Sequence, residues 1–340
     1  MKDERISLIL SFIKRENEVS IAQITNHLSR VLGKKISKIT VNRDLNSLLR
    51  TNKIEKIGIS VATRYKAMLD IDEYFSVRAH DRVLKSETYN LNIWNELGSI
   101  FTARELVDIE NVNKEYQSNR EKLSPAILRK EIERLTIELS WKSSEIEGNT
   151  YSLLDTERLI KEKKEAEGKK REEAVMILNH KSALDFVFAN PSYFKALSIQ
   201  KIEELHHMLV IGLDVNTGVR KNRVGITGTK YHPLKTEFQI RDELFNLVDA
   251  VNKCENPFEK AFIAVIMISY IQPFEDGNKR TARILANALL LANRYCPLSY
   301  RSVDETEYKK AMILFYEQNN YTYFKELFVQ QFKEAVDVYF

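Results

Sequence analysis

The chemistry in this sequence is concentrated at residues 271–283, Ile271-Gln272-Pro273-Phe274-Glu275-Asp276-Gly277-Asn278-Lys279-Arg280-Thr281-Ala282-Arg283. Two carboxylates, a glycine and an asparagine separate an apolar run from a segment that opens with three cations, Lys279, Arg280 and Arg283. Backbone N–H groups freed at Gly277 and in the first helical turn would meet an anion at the positive end of a helix dipole. Guanidinium forks three residues apart match phosphate oxygens. The arrangement suits a polyphosphate. Residues 262–271 and 284–291 read as apolar helices that hold the loop from either side.

The 340 residues suffice for two or three domains. Ten Gly and six Pro among many Leu, Ile, Lys and Glu favour a mainly α fold. The two cysteines, Cys254 and Cys296, stand in no metal-ligand spacing, which fits a reducing, cytoplasmic setting. There is no apolar run of about 18 residues, so no membrane span is expected. The net charge of +4 is unevenly spread: residues 1–70 carry 14 Lys/Arg against 7 Asp/Glu, and the remainder 38 against 41. An anionic partner is therefore sought for the N-terminal segment.

Within that segment, Ile6, Ile9, Leu10 and Ile13 predict a first helix ending near Asn17. Ser20 with Gln23 forms a capping-box pattern for a second helix, and Ser37 is a good N-cap for a third, which ends at Asn52. Residues 53–59 and 61–66 read as a hairpin. Three helices and a hairpin resemble a winged helix-turn-helix, a resemblance that implies DNA binding with the third helix in the major groove. That helix would offer Lys38, Thr40, Asn42, Arg43 and Asn46, while Lys56, Arg64 and Lys66 on the wing would meet phosphates.

Residues 71–123 read as a helical connecting segment, with Thr102 and Glu105 marking one helix start. Ser124-Pro125 starts a long helix over 125–147. Ser143 and Glu147 share one face at its C-terminus, where Gly148 stops it. A carboxylate at that end opposes the helix dipole and asks for a cation from elsewhere. Asp155 is expected to cap the next helix, Ser198, Thr236 and Asn256-Pro257 to start others, and Asp304 with Glu307 to form a capping box. Residues 215–234, punctuated by Gly218, Gly225 and Gly228, read as a two-stranded hairpin. His180, His206 and His207 have no metal-ligand spacing and read as structural or surface residues.

The run from Gln272 to Arg283 resembles the signature of the Fic (Fido) family, His-Pro-Phe-x-Asp/Glu-Gly-Asn-Gly/Lys-Arg-x-x-Arg. Ser143-x-x-x-Glu147-Gly148 resembles the inhibitory motif that some members carry on a helix N-terminal to the core, and 215–234 resembles the flap over the target cleft. The resemblance implies a helical Fic-like domain over 124–340 with a small β-hairpin flap, beside a winged-helix domain over 1–70. It implies AMPylation: transfer of AMP from ATP, with Mg²⁺, to a protein Ser, Thr or Tyr hydroxyl. By the same resemblance Gly277 and Asn278 form an anion nest, and Lys279 and Arg280 belong to the nucleotide site. Asp276 holds Mg²⁺, Phe274 is a buried anchor, and Arg283 orients the terminal phosphate or pairs with Glu147.

One position departs from the pattern. The family histidine is Gln272 here, and a carboxamide cannot take a proton usefully at neutral pH; general-base catalysis is worth about 10²–10⁴-fold. Three readings follow. The chain is a nucleotide-binding Fic protein with weak or lost transfer; or it is an active enzyme with another base (His232 in the flap is a candidate), nucleotide or substrate; or it is a DNA-binding regulator whose core is a ligand-sensing scaffold or builds a homodimer.

Overall fold

A computed structural model describes residues 2–16, 18–51, 53–58 and 62–340. Two compact units divide between Arg82 and Val83. The segment expected as one connector is thus split, with 71–82 in the first unit and 83–123 in the second. Among the described residues no helix is long and apolar enough to cross a membrane.

The first unit runs α1 (Lys2–Glu16), β1 (Glu18–Val19), α2 (Ile21–Val31), α3 (Lys38–Arg50), β2 (Ile54–Ile57), β3 (Arg64–Ala67) and α4 (Ile71–Ser76). Ser20 accepts from the Gln23 amide and Gln23 answers on the Ser20 amide, so α2 starts with both halves of the box. Ser37 accepts from the Thr40 amide to start α3. Ile9, Ile13, Ile24, Leu28, Val41 and Leu45 close the core between the helices. The strands are antiparallel in the order β1-β3-β2, with Val19 opposite Tyr65 and Lys56 also opposite Tyr65 on the other side. Strand β1 was not expected: two residues are too short for a period-two pattern to register. The helix-end assignments at Asn17 and Asn52 and the hairpin residues 59–61 lie outside the described residues. Asp44 on α3 is fully buried and accepts from the Arg5 guanidinium, Nη2 to Oδ1 at 3.0 Å and Nε to Oδ2.

The second unit is helical: α5 (Ile93–Leu97), α6 (Ala103–Lys122), α7 (Pro125–Glu145), α8 (Leu153–Glu162), α9 (Arg171–Ala189), α10 (Ile199–Val210), α11 (Glu237–Lys253), α12 (Pro257–Ile271), α13 (Asn278–Ala292), α14 (Glu305–Gln318) and α15 (Thr322–Tyr339). The centre is α12 packed along α13. Every residue of α12 from Ala264 to Ile271 is buried, as an apolar run without an amphipathic stripe requires. The α8 cap is Ser152 rather than Asp155. Asp155 sits at the third helical position and returns the bond to Ser152, because a hydroxyl one turn earlier can accept the Asp155 amide. Asp304 caps α14 by accepting from the Glu307 amide.

Residues 215–234 do not form a strand pair. Their one ladder contact is an isolated parallel bridge, Thr88 to His232. The backbone bonds of the segment are spent elsewhere: the Arg220 amide donates to the Pro273 carbonyl at 2.9 Å and the His232 amide to the Glu87 carbonyl at 2.7 Å. Gly218 and Gly228 take positive φ, 81° and 87°.

Phe262 is fully buried against Phe101, Tyr321, Phe324 and Phe328, all from outside α12. Phe262→Ala should therefore cost about 3–5 kcal/mol of unfolding free energy, the range for a large core aromatic. Urea denaturation read through a probe in the second unit checks it; a loss below about 1 kcal/mol would contradict this packing.

Candidate active site

The loop between α12 and α13 is set at both ends. Gln272 caps α12 in the left-handed region, φ 51° and ψ 62°, an uncommon conformation for a residue with a Cβ. Its side-chain Nε2 donates to the Ser269 carbonyl at 2.6 Å, and its own carbonyl accepts from Arg220 Nε at 2.7 Å. Gly277 precedes α13 at φ 77°, and a Cβ there would lie 3.3 Å from Val210 and 3.5 Å from His206. Asn278, the first residue of α13, holds the loop closed. It accepts from the Phe274 amide and donates to the Phe274 carbonyl, both at 2.8 Å. The Asn278 side chain is thus spent on the loop itself, and only its backbone at the helix start is available to an anion.

Two residues that the sequence did not place at this loop brace it. His206 of α10 stacks on Phe274, ring centroids 3.7 Å apart, and its Nε2 lies 3.0 Å from the Asp276 carbonyl. A carbonyl only accepts, so Nε2 carries the proton. Burial pushes the imidazole down to about 4, which keeps it neutral. Arg220 is buried, with no carboxylate partner among the described residues; its three nitrogens donate to the carbonyls of Gln272, Asn222 and Leu234, each at 2.7 Å. It ties both ends of residues 222–234 to the loop.

The cations behind the loop are deeply placed. Arg280 is 1% exposed and donates from Nη2 to Asp276 at 2.9 Å, while its Nη1 is buried without a partner. Arg283 is fully buried. Its Nε donates to Ser143 Oγ at 2.8 Å, and its Nη2 to the Ser143 carbonyl at 2.8 Å and Glu147 Oε1 at 2.9 Å. Its Nη1 also lacks a partner. Two orphaned guanidinium donors beside a helix N-terminus are what a polyphosphate would satisfy. Ser143 also meets His180 Nε2 at 2.9 Å, so His180 supports the Ser143–Arg283 contact.

Glu147 reaches this cluster from the end of α7. Gly148, at φ 92°, donates to the Glu145 carbonyl and Asn149 to the Ser144 carbonyl, a Schellman closure that makes Glu147 the capping residue. Its carboxylate also lies 3.6 Å from Lys279 Nζ. Burial would raise the Glu147 carboxyl, but Arg283 foremost and then Lys279 outweigh it, and the group sits below its ordinary value. The misplaced carboxylate has the cationic partner that its position demanded.

Two cavities meet at Glu147, Ile226, Thr227 and Lys279. One, of about 360 Å³, is walled by Ile146, Met312, Ile313, Tyr308 and Tyr316. The other, of about 180 Å³, is walled by 224–227, Gln272 and 275–279. His232 lines neither. A cavity of about 440 Å³ lies between α6 and α15, among charged side chains such as Glu105, Lys325 and Asp337, and contains none of the motif. Among the described residues no group of three or more His, Cys, Asp or Glu could hold a metal by itself. The Asp276 side chain, 65% exposed, stands on the rim of the smaller cavity.

Residues 196–290 match the model of the Fic/DOC family. The chain is 29% identical over 171 residues to the protein adenylyltransferase fic-1 of Caenorhabditis briggsae, covering 48% of this chain and 33% of that protein. It is 28% identical over 172 residues to the protein adenylyltransferase Fic of Nematostella vectensis, covering 49% and 40%. The matched region thus spans between a third and two fifths of the length of these relatives. Among solved structures, Fic-1 of C. elegans superposes with a TM-score of 0.58 at 20% identity over 69% of this chain and 70% of the other. A Fic family protein of Desulfovibrio desulfuricans does so at 0.57 and 21%, over 70% and 74%. Fold and matches together support a Fic family protein.

The folded-state shift of Glu147 makes a pH prediction. Because its carboxyl is depressed from 4.5, the stabilisation is present above that value and lost as pH falls through the lower folded value. Glu147→Gln should lower unfolding free energy by about 3 kcal/mol, the scale for leaving a buried Arg uncompensated. That difference from the native chain should be constant between pH 6 and 8 and shrink below about 4.5. Paired chemical denaturation at stepped pH measures it; a difference that vanishes near pH 6.5 would assign the effect to histidine.

Proposed function

We propose that this chain binds ATP with Mg²⁺ at the 277–283 helix start and belongs to the adenylyl-transfer class, with transfer held back at two points. The relatives named protein adenylyltransferases support the reaction class. The observation that carries the reading is the Glu147–Arg283 pair beside an otherwise intact anion loop. The guanidinium that would meet the terminal phosphate is already occupied, so a nucleotide must displace Glu147 or bind without that contact. Gln272 is the second point, since it can orient a hydroxyl but cannot deprotonate it.

In this reading the nucleoside takes the larger cavity, whose Ile, Met and Tyr walls suit a planar base. The phosphates take the α13 amides and the free N–H groups of Arg280 and Arg283. Mg²⁺ would be held by Asp276 and phosphate oxygens, where it neutralises charge. One carboxylate on an open rim fits a metal held largely by its ligand. Residues 215–234, tied down by Arg220, form the surface over which a target hydroxyl would arrive.

Calorimetry with ATP and Mg²⁺ should find weak binding by the native chain and at least tenfold tighter binding by Glu147→Gly, about 1.4 kcal/mol. With labelled ATP the native chain should give no transfer signal. Gln272→His combined with Glu147→Gly should exceed Glu147→Gly alone by about 10²–10⁴-fold. Strong labelling by the native chain, or no ATP binding by Glu147→Gly, would overturn the reading.

A second function is favoured for the first unit by the exposed face of α3. Lys38, Asn42, Arg43 and Asn46 are all solvent-facing on it, beside an exposed Ile39. Thr40 is half-buried and hydrogen-bonded to Ser37 Oγ, so it is a weaker candidate for base contact than the sequence suggested, and Arg64, expected to meet phosphate, is half-buried on β3. We infer a winged-helix module that binds duplex DNA through this face. Arg43→Ala with Lys38→Ala should abolish a mobility shift seen at low salt, and native affinity should fall steeply as salt rises. No shift with any duplex at low salt would end the proposal.

A further inference from the structure

Helix α11 is apolar on two opposite faces. One face buries Ile240, Leu244, Leu247 and Val251 in the core of the second unit. At about 100° per residue, Phe238 and Phe245 fall nearly in line on the other side, about two turns or 10 Å apart. Phe238 is 75% exposed and Phe245 66%. A single exposed ring needs no explanation, but two in register on one ridge form an apolar stripe. Charges occupy the ridge between them. Arg241 and Asp242 are both exposed there, each within about 60° of the stripe by helical geometry. Arg241 is braced by its own chain, in ion pairs with Glu237 at 2.9 Å and Glu203 at 3.6 Å. Asp242 has no ion partner among the described residues. Lys235, just before the helix, and Asp249, one turn beyond Phe245, are exposed as well.

This order of residues is its own complement. The midpoint of Phe238 and Phe245 falls between Arg241 and Asp242. Laid antiparallel on a second copy of itself, about a two-fold axis through that midpoint, the helix sets Phe238 opposite the partner's Phe245. Arg241 then faces the partner's Asp242, and Asp242 the partner's Arg241. Lys235 comes within a residue of the partner's Asp249. A parallel alignment would instead set Arg241 near the partner's Arg241 and Asp249 near the partner's Asp249, so charge selects the antiparallel one. A self-complementary patch is what a closed two-fold dimer requires. We propose that the exposed face of α11 is a homodimer interface whose occupant is a second copy of this chain. Phe238 and Phe245 of both copies form its centre, and crossed Arg241–Asp242 pairs fix its register. The patch is small, at the low end of specific interfaces, so the dimer is a weak one of micromolar affinity. The inference does not depend on the nucleotide reading of the loop.

Sedimentation velocity of the full chain over about 1–200 µM, the range that a micromolar constant populates, tests it. The native chain should pass from monomer to dimer across that range. Phe238→Ser with Phe245→Ser should raise the dissociation constant by about 10²-fold or more. The urea midpoint should hold, because both rings are exposed. Arg241→Asp and Asp242→Arg, each alone, should weaken the dimer at least about tenfold by setting like charges across the axis. Mixed in equal amounts, these two variants should pair to within about threefold of native affinity, since one copy then presents two acids where the other presents two bases. Damage to the fold would give no such rescue. A native chain that stays monomeric throughout, its stripe covered from within the chain or kept for a different protein, would overturn the proposal. So would a dimer indifferent to the paired Phe changes, or charge variants that fail to pair when mixed.

Discussion

The second unit is built around a buried guanidinium. Arg283 lies inside the helical core with no access to water, and an arginine cannot shed its charge to relieve that. Something anionic must stand beside it. In this chain the end of α7 supplies Ser143 and Glu147, which together take three of its hydrogen bonds. The same demand would be met by a phosphate. Glu147 and an incoming phosphate would therefore compete for one charge.

Around that charge the loop is made rigid by ordinary backbone needs. Arg220 has no counter-ion among the described residues; it satisfies carbonyls at Gln272, Asn222 and Leu234. Asn278 closes the loop on Phe274, and His206 holds the Asp276 carbonyl from below. These contacts hold the backbone of 277–279 in place, which would lower the ordering cost of binding an anion there. They also explain how Gln272 tolerates a left-handed backbone: its carbonyl and side chain are both tied down.

Much of this was legible in the sequence where the signal is local. Caps at Ser20, Ser37, Thr102, Ser124 and Ser198 depend on residues three positions apart. The Gly277–Arg283 spacing is likewise local, and Glu147 announced itself as a carboxylate at the wrong helix end. What stayed hidden depends on distant backbone. Arg220 and His206 bond to carbonyls 52 and 70 residues away, and a carbonyl has no residue identity to read. The glycine punctuation of 215–234 signalled turns correctly but not their partners, so a hairpin was expected where the chain instead hangs from Arg220 and Glu87. The two-residue β1 was below the length at which alternation means anything.

The Schellman closure at Gly148 bears on speed. Glu147 sits just beyond the last regular turn of α7, while Ser143 and Ser144, one turn earlier, are fully buried. Withdrawing the carboxylate thus asks for rotation about a few backbone bonds at a helix terminus and leaves the packed body of α7 in place. Motions of that kind belong to the nanosecond-to-microsecond range, faster than the sliding of a whole helix. Exposure of the Arg283 guanidinium would then be governed by how often that one residue is away, and not by a slow rearrangement of the domain.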